Sequence, residues 1–224
     1  MKALILDSGV LINLSLSGML DVLTKFKKVS STKFLITEAV KYETVDRPIG
    51  VPRFELGALI IKKLIEDKTI EMPTDLGIDK NELESLTANL LDKANHSFES
   101  NKKPLQIVSK GEISCLALSK ILTEKNIENV IAIDERTTRL LSEKPENLEN
   151  TLSSRLHTRV TLKRENLEEF TKFRFIRTAE LLYAAFKKNL FDIKDPKTLE
   201  AVIYAAKYHG TAISWEEIEE LKKL

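Results

Sequence analysis

Apolar and polar positions fall into short blocks along the chain, and the blocks predict strands alternating with helices. Lys2 to Leu6 is an apolar run closed by Asp7, the pattern of a strand buried on both faces. Ser8 and Gly9 can open a helix over Val10 to Leu16, and a second short helix covers Met19 to Phe26. Lys33 to Ile36 is another strand, after which Thr37 caps a helix from Glu38 to about Thr44. Strand, helix, strand, helix in this order predicts an α/β layer with a parallel sheet.

From Val45 to Leu105 the pattern changes. Pro48, Pro52, Pro73 and Pro104 punctuate two helical stretches. One runs from Phe54 to Asp67, with apolar residues at 56, 59, 60 and 64; the other runs from Glu82 to about Ser97, with Leu83, Leu86, Leu90 and Leu91 on one side. A short strand at Thr69 to Met72 separates them. Residues 45–105 are therefore expected to be a mainly helical insertion.

Ser109 caps a helix through Lys125, and Glu112 at its third position completes a capping box. Asn129 to Ile133 is a strand that ends at Asp134. Residues 143–171 are polar and form a second, shorter insertion. Lys172 to Ile176 alternates with period two, a last strand, with Arg159 to Lys163 expected to pair nearby. Helices close the chain over Ala179–Lys188, Pro196–Tyr208 and Trp215–Leu224, with Gly210 between the last two. The expectation is one domain over 1–224, a three-layer α/β/α sandwich around a mainly parallel sheet.

Composition narrows the function classes. With 35 basic and 34 acidic residues the net charge is +1, so any nucleic-acid footprint must be a local patch. The single cysteine, Cys115, excludes an intramolecular disulfide, and histidines at 96, 157 and 209 give no zinc-ligand spacing with it. No apolar run reaches the roughly 18 residues of a membrane span. Asp7 interrupts the initial apolar stretch too early for a signal peptide. A cytoplasmic protein with no membrane partner is expected.

The candidate chemistry lies in four acids. Asp7 and Asp134 each follow a strand, and strand carboxyl ends line the ligand crevice of an open parallel sheet. Glu43 lies in a helix after a strand, and Glu112 in the first turn of a long helix. All four can face one cleft, where they would raise one another's pKa unless a cation intervened. Oxygen ligands without histidine or cysteine favour Mg²⁺ or Mn²⁺. Taken singly, each acid has a plainer role: Asp7 and Asp134 as helix caps, Glu112 as a capping-box partner, Glu43 as a solvated helix residue.

The flanking residues change that balance. Leu6-Asp7-Ser8-Gly9-Val10-Leu11-Ile12-Asn13-Leu14 resembles the opening strand, first acid and following helix of PIN-domain proteins, a family of metal-dependent ribonucleases. Ile36-Thr37-Glu38-Ala39-Val40-Lys41-Tyr42-Glu43 resembles the family's second segment, with Thr37 where a proline is common. Lys110-Gly111-Glu112-Ile113-Ser114-Cys115 is similar to its Gly-Glu helix start, and Ile131-Ala132-Ile133-Asp134-Glu135-Arg136 to the segment carrying the fourth acid. Arg177-Thr178-Ala179-Glu180-Leu181-Leu182 looks like its Gly-Thr turn, with Arg177 in place of the glycine. The motifs cover roughly half the chain, in the family's order. The resemblance implies hydrolysis of single-stranded RNA at a two-metal site of Asp7, Glu43, Glu112 and Asp134. Homodimers, antitoxin partners and ribosomal partners all occur among such proteins, and an RNA- or protein-binding module without catalysis is the alternative it leaves open. Use of Asp7 as a phosphorylated nucleophile is disfavoured, because the acid usually found two residues later is Gly9.

Ser8 and Asn13 are candidates to bind a phosphate or a metal-bound water, against plain roles in capping and on a polar helix face. Glu135 is expected to face solvent. Arg136 and Arg139 share a helix face near Asp134 and are candidate phosphate contacts. Arg155, Arg159, Lys163, Arg164, Lys172, Arg174 and Arg177 form the densest basic stretch, so Arg159, Arg164 and Arg174 join the candidate substrate residues; the resemblance to the Gly-Thr turn implies the same of Thr178. His157 is expected to be structural, and Trp215, Phe170, Phe173 and Phe175 to belong to the core.

Overall fold

A computed structural model describes residues 2–223. In chain order it contains β1 (Lys2–Leu6), α1 (Ser8–Leu16), α2 (Asp21–Val29), β2 (Lys33–Leu35) and α3 (Glu38–Lys41). It continues through α4 (Glu55–Glu66), β3 (Ile70–Glu71), α5 (Lys80–Asn95), β4 (Phe98–Ser100), β5 (Lys103–Pro104), α6 (Lys110–Glu124) and β6 (Glu128–Ala132). The remainder is α7 (Arg136–Glu143), α8 (Pro145–Leu156), β7 (Val160–Leu162), β8 (Phe175–Ile176), α9 (Thr178–Lys187), α10 (Thr198–Tyr208) and α11 (Trp215–Lys223).

Five strands form the central sheet in the order β3-β2-β1-β6-β8, and every pairing in it is parallel. Helices flank the sheet, giving the expected three-layer α/β/α sandwich. β1 lies in the middle because Ala3–Leu6 can be buried on both faces; Ile5 and Leu6 are wholly inaccessible. The connections β1–β2–β3 run toward one edge of the sheet, whereas β3–β6 and β6–β8 run toward the other. Right-handed crossovers in opposite directions place their helices on opposite faces. The strand order therefore reverses between β1 and β6, and the crevice at such a reversal opens at the carboxyl ends of the strands. Asp7 stands there.

Several elements differ from expectation. Residues 45–105 are mainly helical, but β3 within them completes the central sheet beside β2, and β4 pairs with β5 on one side and β7 on the other in a small antiparallel sheet. β7 thus pairs with β4, in the register Phe98 to Leu162 and Ser100 to Val160, and not with the stretch 172–176. The last strand shortens to Phe175–Ile176 and adds to β6 in parallel. Phe170 is in the core as expected, but Trp215 is half exposed, with its ring against Tyr204 at 5.5 Å and Lys207 Nζ over its face at 4.7 Å. His157 ends α8 in the left-handed region (φ 50), a structural position.

Beyond α3 the backbone widens into a π-turn over Tyr42–Asp46, where Arg47 N donates to the Tyr42 carbonyl at 2.9 Å. The helix expected to run to Thr44 thus changes pitch at Glu43. Single π-turns of this kind concentrate at functional sites. No single helix among the described residues is long and apolar enough to cross a membrane.

Candidate functional site

Asp7 leaves β1 and caps α1, its Oδ2 accepting from Gly9 N at 3.1 Å. The cap role and a site role coincide, because Oδ1 is buried and has no hydrogen-bond partner. Burial raises the carboxyl from 3.8 to about 7, the charges of Glu112 and Glu43 add to the rise, and the Gly9 and Ser8 amides oppose it. A group in this condition is short of positive charge.

Glu112 and Glu43 reach Asp7 because α3 and α6 are pinned together at their starts. Thr37 Oγ1 and Ser114 Oγ lie 2.6 Å apart, and Ser114 Oγ donates to the Gly111 carbonyl at 2.6 Å. A β-carbon built on Gly111 would stand 2.6 Å from Glu43 Oε2, so only glycine leaves that carboxylate its place. Glu112 keeps its capping-box role, Oε2 accepting from Ser109 N at 2.9 Å, but the same oxygen also accepts from Thr138 Oγ1 at 3.1 Å. Burial raises the Glu112 pKa, with Glu135 and Glu43 adding to it. Cys115, one turn along α6, lies beneath the cluster; burial and the charges of Asp7, Glu43 and Glu112 all push its thiol well up. That rules it out as a thiolate nucleophile.

Asp134 is placed differently. Its Oδ1 accepts from Thr178 N at 2.9 Å, and Oδ2 accepts from Thr178 Oγ1 at 2.7 Å and from Asn13 Nδ2 at 3.3 Å. Both Thr178 donors are committed to Asp134, and Thr178 is fully buried, which leaves no free donor for the expected contact with substrate. Asn13 is likewise buried, and its Nδ2 also donates to the Ala206 carbonyl and Thr211 Oγ1, both at 2.9 Å. It ties α1 to the end of α10 and holds no free donor toward the cleft.

Glu135, expected in solvent, is exposed, yet it belongs to the acidic group. It caps α7 by accepting from Thr138 N at 2.9 Å, which sets its carboxylate beside that of Glu112 on the same threonine. An acid directly after a strand-end aspartate, three residues before a threonine, was the available signal. The expected exposure to solvent holds, with residue 135 as the cap of α7 and not a helical position.

Of the expected substrate residues, Ser8 is half buried beside Asp7 with its amide toward the carboxylate. Arg136 and Arg139 lie on α7 and line a cavity next to the cluster. Arg174 is corrected: it precedes β8, bonds the Asn129 carbonyl and pairs with Glu128, at the amino end of the sheet and away from the acids. Arg164 pairs with Glu146 at 3.0 Å and Lys163 with Glu99 at 2.6 Å, so much of the basic stretch is locally neutralised. Arg159 is exposed before β7.

Among the described residues, no three carboxylate, histidine or cysteine side chains are arranged closely enough to hold one metal ion. Asp7, Glu43, Glu112 and Glu135 share one electrostatic field without forming a closed ligand set. The donors are all oxygen, and the orphaned Asp7 Oδ1 is an acceptor that a hard cation would satisfy. In chemical character the residues fit such an ion; closing on it would take movement of the glutamate side chains. Comparison with family models, with curated proteins and with solved structures finds no match to this chain.

Proposed function

We propose that the protein is a metal-dependent nuclease of PIN type, acting on single-stranded RNA at the acidic cluster. The observation that carries the proposal is Asp7: a buried carboxylate at the strand-order reversal, one oxygen unpartnered, pressed by two further acids. Asp7, Glu43 and Glu112 would hold Mg²⁺ or Mn²⁺, with Glu135 as an added acid at the rim. Such an ion supplies Lewis acidity and lowers the pKa of a bound water. Thr138 orients Glu112, while Thr178 and Asn13 orient Asp134 against the cluster. Gly9 and Ser8 amides hold the Asp7 carboxylate in place at the head of α1.

The test is hydrolysis of a labelled single-stranded RNA with Mn²⁺ by the wild type and by Asp7→Asn. Cleavage that requires both the ion and Asp7 supports the proposal. Cleavage unchanged in the variant removes it.

A second reading, a PIN-like module that binds RNA or a protein without hydrolysis, draws on the commitment of both Asp134 oxygens to Thr178 and Asn13. RNA binding without Mn²⁺-dependent cleavage by the intact chain would favour it.

A further inference from the structure

α7 presents two different faces. Thr138 meets Glu112 in the acidic cluster, while Arg136, Arg139 and Glu143 line a cavity of about 470 Å³. Arg177, Ser214 and Glu217 close the other side. That volume lies in the range of pockets that enclose small molecules or parts of larger ones.

The cations in this cavity are unequal. Arg177 is fully engaged: its Nε donates to Glu180 Oε1 at 2.8 Å, and its Nη1 donates to Glu217 Oε1 at 2.8 Å and to the Ala212 carbonyl at 3.1 Å. Ser214 is engaged too, as a reciprocal cap with Glu217. Arg139 is not, for its Nε is buried and has no hydrogen-bond partner. Arg136 stands exposed at the mouth. A buried guanidinium donor without an acceptor carries an uncompensated desolvation cost. Burial and the charge of Arg177 press the Arg139 pKa down, and the nearby carboxylates of Glu143, Glu180 and Glu217 offset this only in part, none of them accepting from Nε. The planar fork of arginine matches two oxygens of a phosphate.

We infer that this cavity is a phosphate site, in which Arg139, with Arg136 at the entrance, holds one backbone phosphate of the nucleic-acid strand that passes the acidic cluster. The inference rests on the nuclease reading for the identity of the strand. The two sites adjoin through consecutive residues: Thr138 serves the cluster and Arg139 the cavity, and Thr178 grips Asp134 while Arg177 lines the cavity wall. A phosphate in the cavity would fix the register of the strand relative to the acids, a positional role that carries no base information.

The experiment uses the full chain in chelator without divalent metal, so that cleavage plays no part. Inorganic phosphate is titrated by thermal shift, and a fluorescent single-stranded RNA by anisotropy, against wild type, Arg139→Gln, Arg139→Lys and the control Arg174→Gln. Arg139→Gln is expected to weaken phosphate binding about tenfold to a hundredfold, the loss of a charge-assisted bond, and RNA binding about tenfold. Arg139→Lys should restore part of each, and Arg174→Gln should stay within about twofold. Equal phosphate affinity in wild type and Arg139→Gln, or none in wild type, overturns the site. Weaker phosphate binding with unchanged RNA binding assigns the cavity to a free phosphate ester and overturns the strand. If RNA affinity falls with Arg139→Gln while Asp7→Asn leaves cleavage intact, the phosphate site stands and the nuclease reading fails.

Discussion

Replacing Asp7 by asparagine should make the metal-free protein more stable at neutral pH while removing its response to metal. The carboxyl titrates near 7 in the folded chain, against 3.8 as its ordinary value. The folded state therefore binds the proton more tightly than the unfolded state does. This contribution to stability is complete below about pH 4 and is lost as pH rises through 7. The gap corresponds to about 4 kcal/mol at most, and Asp7 is only 2% exposed, so solvent screening takes little from it. The asparagine side chain has no charge to bury; its Oδ1 can still accept from Gly9, and its Nδ2 would replace the orphaned oxygen with a donor facing Glu112 and Glu43. At pH 8 without metal, thermal unfolding of Asp7→Asn should lie about 5–10 °C above wild type, by the scaling for a chain of this size. The difference should shrink toward pH 4. With Mn²⁺ at about a hundred times its Kd, wild type should gain about 3 kcal/mol and the variant nothing. A variant that unfolds at or below the wild-type temperature at pH 8 in chelator would refute the account of Asp7 as an unpaired buried charge.

Gly111→Ala places a β-carbon against Glu43 Oε2, at the movable end of a side chain, while alanine favours the helix by about 1 kcal/mol. Stability in chelator should hold or rise slightly, and Mn²⁺-dependent stabilisation should fall; unchanged metal response would separate Glu43 from the site. Thr178→Val removes the hydroxyl bond to Asp134 and should cost about 1.5–3 kcal/mol in urea unfolding, the range for hydrogen bonds to charged groups. A cost near zero would mean that the amide of residue 178 suffices. Glu71 on β3 is buried between Lys27, at 2.6 Å, and Lys33, at 2.9 Å; burial raises its pKa, but the two ammonium groups outweigh that and hold it below 4.5. Glu71→Gln should cost about 2 kcal/mol at pH 7, since both lysines are partly exposed and screened. Because the folded pKa is depressed, this contribution is present above pH 4.5 and is lost as pH falls through the folded value, so the two unfolding curves should converge in acid.

How much of the site was legible in the linear chain differs residue by residue. Lys2–Leu6 and Asn129–Ile133 are apolar enough to be strands only if both faces are covered, so Asp7 and Asp134 had to stand at the end of a parallel sheet. The Ser109–Glu112 capping box is local chemistry, and it formed as the spacing required. Pairing partners were not legible, because period-two patterns say which face a residue takes and not which strand lies beside it. Val160–Leu162 could have joined either sheet on pattern alone. The π-turn at Glu43 was hidden as well, since one residue of extra pitch leaves no mark in helical periodicity.

Local sequence thus determined the element order, the strand-end aspartates and the helix caps, each set by interactions between near neighbours in the chain. Tertiary structure alone decided which acids share a field. The Thr37–Ser114 contact and the bare Gly111 bring Glu43 to Asp7 and Glu112, Thr138 draws Glu135 in, and Thr178 with Asn13 claims Asp134. Coulomb and hydrogen-bond energies depend on distance through space, and residues 7, 43, 112 and 135 acquire those distances only when the sheet and its helices have closed around them.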